Sequence, residues 1–132
     1  MAGELNAGQL RLLRELLERR REELRATVAE ELRRSEDPEA LNLAREVHDQ
    51  GEASVADLLM DQNIAGMERH VRELSEVEAA LDRMREGRYG YCEDTGEPIA
   101  FERLRVQPTA RRTVKAQELW ERTHAQPGRP TL

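Results

Sequence analysis

Two apolar stripes at helical spacing, parted by a stretch of acids and helix breakers, constrain this chain more than any other feature. Leu10, Leu13, Leu17, Leu24, Val28 and Leu32 form the first stripe, with Arg and Glu filling the other faces. Asn6, followed by Gln9 three residues later, is a capping-box start. Ser35 to Pro38 ends the pattern, because proline is poorly tolerated inside a helix. The second stripe opens at the capping pattern of Ser54 and Asp57. It runs through Leu58, Met60, Ile64, Met67, Val71, Leu74, Val77, Leu81 and Met84 and stops near Gly87. Each stripe predicts a helix of about 30 residues, roughly 45 Å long. Neither helix can bury its stripe alone. The expected fold is therefore mainly α, with residues 1–87 forming a long antiparallel coiled-coil hairpin. Between the limbs, "EALNLAREV" predicts a short helix and "HDQGE" a turn. An acidic tip over about residues 36–54 is expected at the far end.

Composition agrees with helices more than with a large globule. Of 132 residues, 36% are charged and only 3% aromatic. No stretch approaches the ~20 apolar residues of a membrane span, and the start "MAGELNAGQLRLL" has no apolar signal core. The single cysteine cannot form an internal disulfide. A soluble, cytoplasmic protein is expected. The net charge of −6 argues against general nucleic-acid binding. The charge is uneven, since residues 36–61 carry eight acids and one base. Such a window fits a basic partner or a metal, and it equally fits a solvated loop with helix-start charges. The oxygen ligands of an EF-hand are absent from it.

Residues 88–132 change character. "YGYCEDTGEPI" is an aromatic and glycine approach, a Cys and a Gly turn, the outline of the first half of a zinc ribbon. Tyr89, Tyr91, Ile99, Phe101, Leu104 and Val106 are the expected core of a small globular unit. "AFERLRV" predicts one helical turn, and a last helix is expected over about Thr113–His124, with Leu119 and Trp120 available to pack. The tail "AQPGRPTL" is expected to be disordered.

Two separated signatures carry a family resemblance. "YGYCEDTGEPIAFERLRVQPTARRTVKAQ" resembles the finger of the DksA/TraR proteins, bacterial regulators that act on RNA polymerase, and "DQGEAS" resembles their tip motif. The interval between the two also matches. The four cysteines of the finger fall on Cys92, Thr95, Thr113 and Ala116. Only one is a thiol, and structural zinc needs four Cys or His ligands. The chain thus resembles the cysteine-poor branch of the family, and no zinc and no other cofactor is expected.

The resemblance implies a transcription regulator that binds RNA polymerase directly through its secondary channel. The tip, carried by Asp49, Glu52 and Ser54, would lie near the active centre and alter open-complex stability. Arg69 corresponds to a polymerase-facing arginine. The positions that supply basic residues to a shared ppGpp site correspond to Glu76, Gln107 and Gln117. None is basic, which argues against ppGpp synergy. The expected protein is a monomer, not an enzyme, with no membrane and no sequence-specific DNA contact. A scaffolding coiled coil without polymerase activity is the alternative reading. A small redox or metal enzyme using Cys92 is a third, and no base stands beside that thiol in the local sequence.

Overall fold

The computed structural model describes residues 4–62, 64 and 66–124. The tail "AQPGRPTL" lies outside them. The first helix, α1, spans Ala7–Arg34. The Asn6 side chain accepts the Gln9 N–H at 2.8 Å, and the Gln9 side chain accepts the Asn6 N–H at 3.1 Å. The capping box is thus reciprocal, as the sequence predicts. Leu13, Leu17, Leu24, Val28 and Leu32 are buried along one face, and Leu10 is partly buried.

The short predicted helix is present as α2, Pro38–Asp49. Asp37 caps it, and Pro38 occupies the first turn, where a missing N–H costs nothing. Ala40, Leu43, Ala44 and Val47 line its buried face, which packs against α1.

The second limb differs from expectation. It is two helices, α3 at Val55–Gln62 and α4 at Glu68–Arg85, where one of about 30 residues was expected. Gly66 stands between them with φ 88°, a left-handed conformation that a right-handed helix does not accommodate. The apolar stripe continues across the break through Ile64 and Met67, which is why periodicity alone reads one helix. Folding back lets Val55, Ala56 and Leu59 of α3 reach buried positions, with α3 packed against α4.

The long antiparallel pair is therefore α1 with α4. Arg20 meets Glu73 at 2.6 Å, and Glu31 meets His70 at 2.7 Å. The Glu73 carboxyl is held below its usual range, chiefly by hydrogen bonds from the Arg20 guanidinium. Around the C-terminal half of α1, helices α1 to α4 run up, down, up and down. Beyond the base of this bundle sit α5, Phe101–Val106, and α6, Val114–Thr123.

The small unit after Gly87 has a tiny core. Tyr89, Cys92, Ile99, Leu104, Ala110 and Ala116 are buried. Phe101 is partly buried. Two expected core members are not inside. Tyr91 faces outward with its hydroxyl near Glu4, and Val106, at the last turn of α5, is 80% exposed. Trp120 stacks on His124 with ring centroids 4.2 Å apart, while Leu119 is exposed.

A candidate docking loop and a finger without its thiols

The last residue of α2 and the loop joining it to α3 carry the three tip residues of the sequence reading, Asp49 on the helix end and Glu52 and Ser54 in the loop. It lies alongside residues 21–25 of α1, about nine residues, or roughly 13 Å, short of that helix's C-terminal end. Its position follows from the lengths of the helices, since the twelve residues of α2 run back along α1. The expected place at the far end of a two-helix rod would need the unbroken second limb.

Asp49 and Glu52 are both exposed. The Glu52 side chain is 82% exposed, with the Arg21 guanidinium 3.8 Å away. Ser54 is turned inward. Its hydroxyl donates to Glu78 Oε1 at 2.7 Å and accepts the Asp57 N–H at 2.9 Å, so it caps α3. The remaining grip on the loop comes from residues that sequence reasoning did not single out. Arg25 donates to the carbonyls of Gly51 at 2.5 Å and Ala53 at 2.9 Å. Glu78 Oε2 accepts the Val55 N–H at 2.9 Å. Arg69, the proposed polymerase-facing arginine, is exposed in the first turn of α4.

The finger is built from backbone bonds around one thiol. Cys92 N–H donates to Glu97 O at 2.7 Å, and Gly96 N–H returns to Cys92 O at 2.8 Å. Ile99 N–H donates to Gly90 O at 2.8 Å, beside an isolated antiparallel bridge between Tyr91 and Pro98. Gly90 has φ 91° and lies against Leu5, whose Cδ1 would be 2.9 Å from any Cβ placed there. The buried Tyr89 hydroxyl donates to Pro108 O at 2.7 Å, and burial pushes its pKa up. Burial also pushes the Cys92 thiol up, but hydrogen bonds from the Thr95 hydroxyl and from backbone at 94, 95 and 113 outweigh it, and the net shift is down.

Charges tie the finger to the bundle. Arg111 reaches Glu76 at 3.1 Å and Glu93 at 3.4 Å. Arg112 reaches Glu93 at 3.0 Å and Asp94 at 2.8 Å and lies over the Trp120 ring. Arg103 donates to the Arg112 carbonyl and Arg105 to Glu102. Four of the finger's arginines are thus engaged within the chain.

A family model described as prokaryotic dksA/traR C4-type zinc finger matches residues 87–122. The RNA polymerase-binding transcription factor DksA of Caulobacter vibrioides is 41% identical over 75 residues, 53% of each chain. General stress protein 16O of Bacillus subtilis is 46% identical over 63 residues, 48% of this chain and 37% of that protein. The chain spans about half the length, or less, of these curated relatives. The structure of transcription factor DksA2 from Pseudomonas aeruginosa is similar over 92% of this chain and 89% of that one, at 30% identity and a TM-score of 0.59. The chain belongs to the DksA/TraR family.

The zinc finger of the DksA/TraR family does not find its ligands here. Of the four positions, Thr95 Oγ1 accepts the Glu97 N–H at 3.2 Å, and Thr113 Oγ1 accepts the Ala116 N–H at 3.2 Å as the cap of α6. Ala116 offers no donor atom. Among the described residues no group of three His, Cys, Asp or Glu side chains could hold a metal ion. Two ligand positions have become hydrogen-bonding hydroxyls and one a buried methyl. A strong chelator is therefore expected to leave the melting temperature unchanged, and metal analysis of the purified protein to find less than one zinc per ten chains. Destabilisation by chelator would contradict this donor set, because structural zinc contributes about 10 kcal/mol or more of binding free energy to folding.

Proposed function

We propose that this DksA/TraR protein is a transcription regulator that binds bacterial RNA polymerase directly. It acts through the polymerase secondary channel, and the 49–54 loop alters open-complex stability near the active centre. The observation that carries the reading is the loop itself. In a chain of this family, two exposed carboxylates, Asp49 at the end of α2 and Glu52 on the turn that follows, stand at the motif position. An acidic projection suits a channel lined by basic groups, where opposite charge steers docking. Ser54 supports the loop from inside instead of touching the partner. Arg69 adds a contact from α4.

The protein acts as a monomer in the cytoplasm, without sequence-specific DNA contact and without enzymatic chemistry. Cys92 is 2% exposed, which removes it from the surface where a substrate would meet it. Regulation proceeds without ppGpp. Glu76, one of the three positions where a basic residue is needed, is negative and already paired with Arg111. A polyanion brought there meets a carboxylate and an arginine that is already neutralised.

The deciding experiment is transcription in vitro from a ribosomal RNA promoter, with chelator present, comparing the wild type with Asp49→Asn. The expected result is inhibition by the wild type and little or none by the variant. No effect from the wild type well above ~10 μM, where even weak contacts are occupied, rejects the polymerase reading in favour of a scaffolding coiled coil.

A further inference from the structure

We infer that Arg25 and Glu78 are positioning residues for the 49–54 loop, gripping its backbone from the two long helices so that Asp49 and Glu52 face outward in one geometry. The inference rests on the polymerase reading above and assigns the residues on which it depends.

The two residues reach the loop from opposite walls. Arg25 comes from the middle of α1, and its two terminal nitrogens take the carbonyls of Gly51 and Ala53. The planar fork of a guanidinium spans two acceptors in a fixed relation, which a lysine ammonium does not reproduce. Glu78 comes from the middle of α4, and its two oxygens take the Ser54 hydroxyl and the Val55 N–H. That N–H is one of the unpaired donors at the start of α3. The Arg25 and Glu78 side chains are 12% and 13% exposed and 3.8 Å apart, so each offsets the other's charge.

The loop also closes on itself. Gln50 Nε2 donates to Ser54 O at 3.1 Å, Ala53 N–H to Gln50 O at 3.0 Å, and Gly51 supplies a left-handed turn at φ 59°. Seven backbone and hydroxyl groups of residues 50–55 are engaged, while the Asp49 and Glu52 carboxylates stay exposed, Glu52 with only the Arg21 guanidinium 3.8 Å away. An irregular loop ordinarily loses conformational freedom when a partner fixes it, and that loss weakens the complex. Here the ordering is complete before docking.

The test uses the full chain and four proteins: wild type, Arg25→Lys, Arg25→Gln and Glu78→Gln. Amide hydrogen exchange at Ala53 and Val55 reads the loop in the free protein. Transcription in vitro reads its output, and competition binding reads polymerase affinity. In the variants, exchange at these amides is expected to rise about tenfold (about 1.4 kcal/mol) with core amides of α1 and α4 unchanged. The concentration for half-maximal inhibition and the polymerase dissociation constant are both expected to rise about tenfold, because the variants must order the loop on docking. If Arg25→Gln fails to fold, Arg25→Lys carries the comparison, because it keeps a cation beside Glu78 and loses only the fork. Unchanged exchange overturns the inference. Faster exchange with unchanged or stronger inhibition also overturns it, and leaves the polymerase reading intact as long as Asp49→Asn remains inactive. A wild type without effect on transcription overturns both, and the wild-type arm alone identifies that case.

Discussion

Leu104→Ala is expected to open the finger while leaving the helical bundle folded. Leu104 is fully buried on α5, a helix of six residues that cannot persist without its packing. Its buried neighbours in the unit are few: Tyr89, Cys92, Ile99, Ala110 and Ala116. Removing a buried leucine side chain costs about 2–5 kcal/mol, from lost transfer free energy and the cavity left behind. A unit this small has little stability to lose and, with one thiol in place of four, no metal to supply the difference. Local opening short of global unfolding is the expected mode. Cys92 gives the readout, since its thiol is buried in the native protein. Alkylation of Cys92 by iodoacetamide should be slow in the wild type and fast in the variant. Helical circular dichroism should fall only by the share that α5 and α6 contribute. Continued protection of Cys92, with a stability change within about 0.5 kcal/mol, would show that Leu104 is not the finger's anchor.

Leu74→Ala is expected to act globally. Leu74 is fully buried on α4, next to Glu73, which reaches across to Arg20 on α1. Close to it along the helix, Val71 and Val77 are buried on the same side. The β-branched valines have few rotamers with which to fill a hole, so the expected cost lies in the upper half of the range of about 2–5 kcal/mol. For a chain of this size the melting temperature should fall by on the order of 10 °C. The urea midpoint should fall with the slope unchanged, because the surface exposed on unfolding is the same. Met60→Ala is the matched control. Met60 carries the same stripe in the sequence but is 49% exposed, and its loss should change stability by no more than about 0.5 kcal/mol. Equal effects from the two variants would mean that α3 is more deeply packed than its exposure indicates.

The sequence is most informative where the physics is local. Asn6 and Gln9 are three residues apart, and the cap they form needs nothing from the rest of the chain. The stripe of α1 is legible for the same reason, and so is the start of α3 at Ser54 and Asp57. The second limb reads as one helix in the sequence because Ile64 and Met67 keep the helical period across the break. Periodicity says which side of a segment is buried, and it does not say whether the segment turns back. Hydrophobicity alone puts Tyr91 and Val106 in the finger core, and their outward direction depends on the turn at Gly90 and the end of α5. Asp49 and Glu52 were found through a motif. Arg25 and Glu78 were not, because each lies more than 20 residues from the backbone atoms it holds. In the sequence they are two charges among many on amphipathic helices.

The order of helices along the chain sets an order of events during synthesis. The C-terminal half of α1 finds α2 as soon as residue 49 has left the ribosome, since the two are neighbours in sequence. The N-terminal half waits longer. Leu10 shares its surroundings with Met84 and Tyr89, and Leu5 lies against Gly90. At about 5–20 residues per second, translating from residue 49 to residue 85 takes roughly 2–7 s. During that interval Leu10, Leu13 and Leu17 face water or whatever else is near. The N-terminal half of α1, made well before α4, is thus among the last surfaces to be covered, and it is one for which a nascent-chain chaperone has much use.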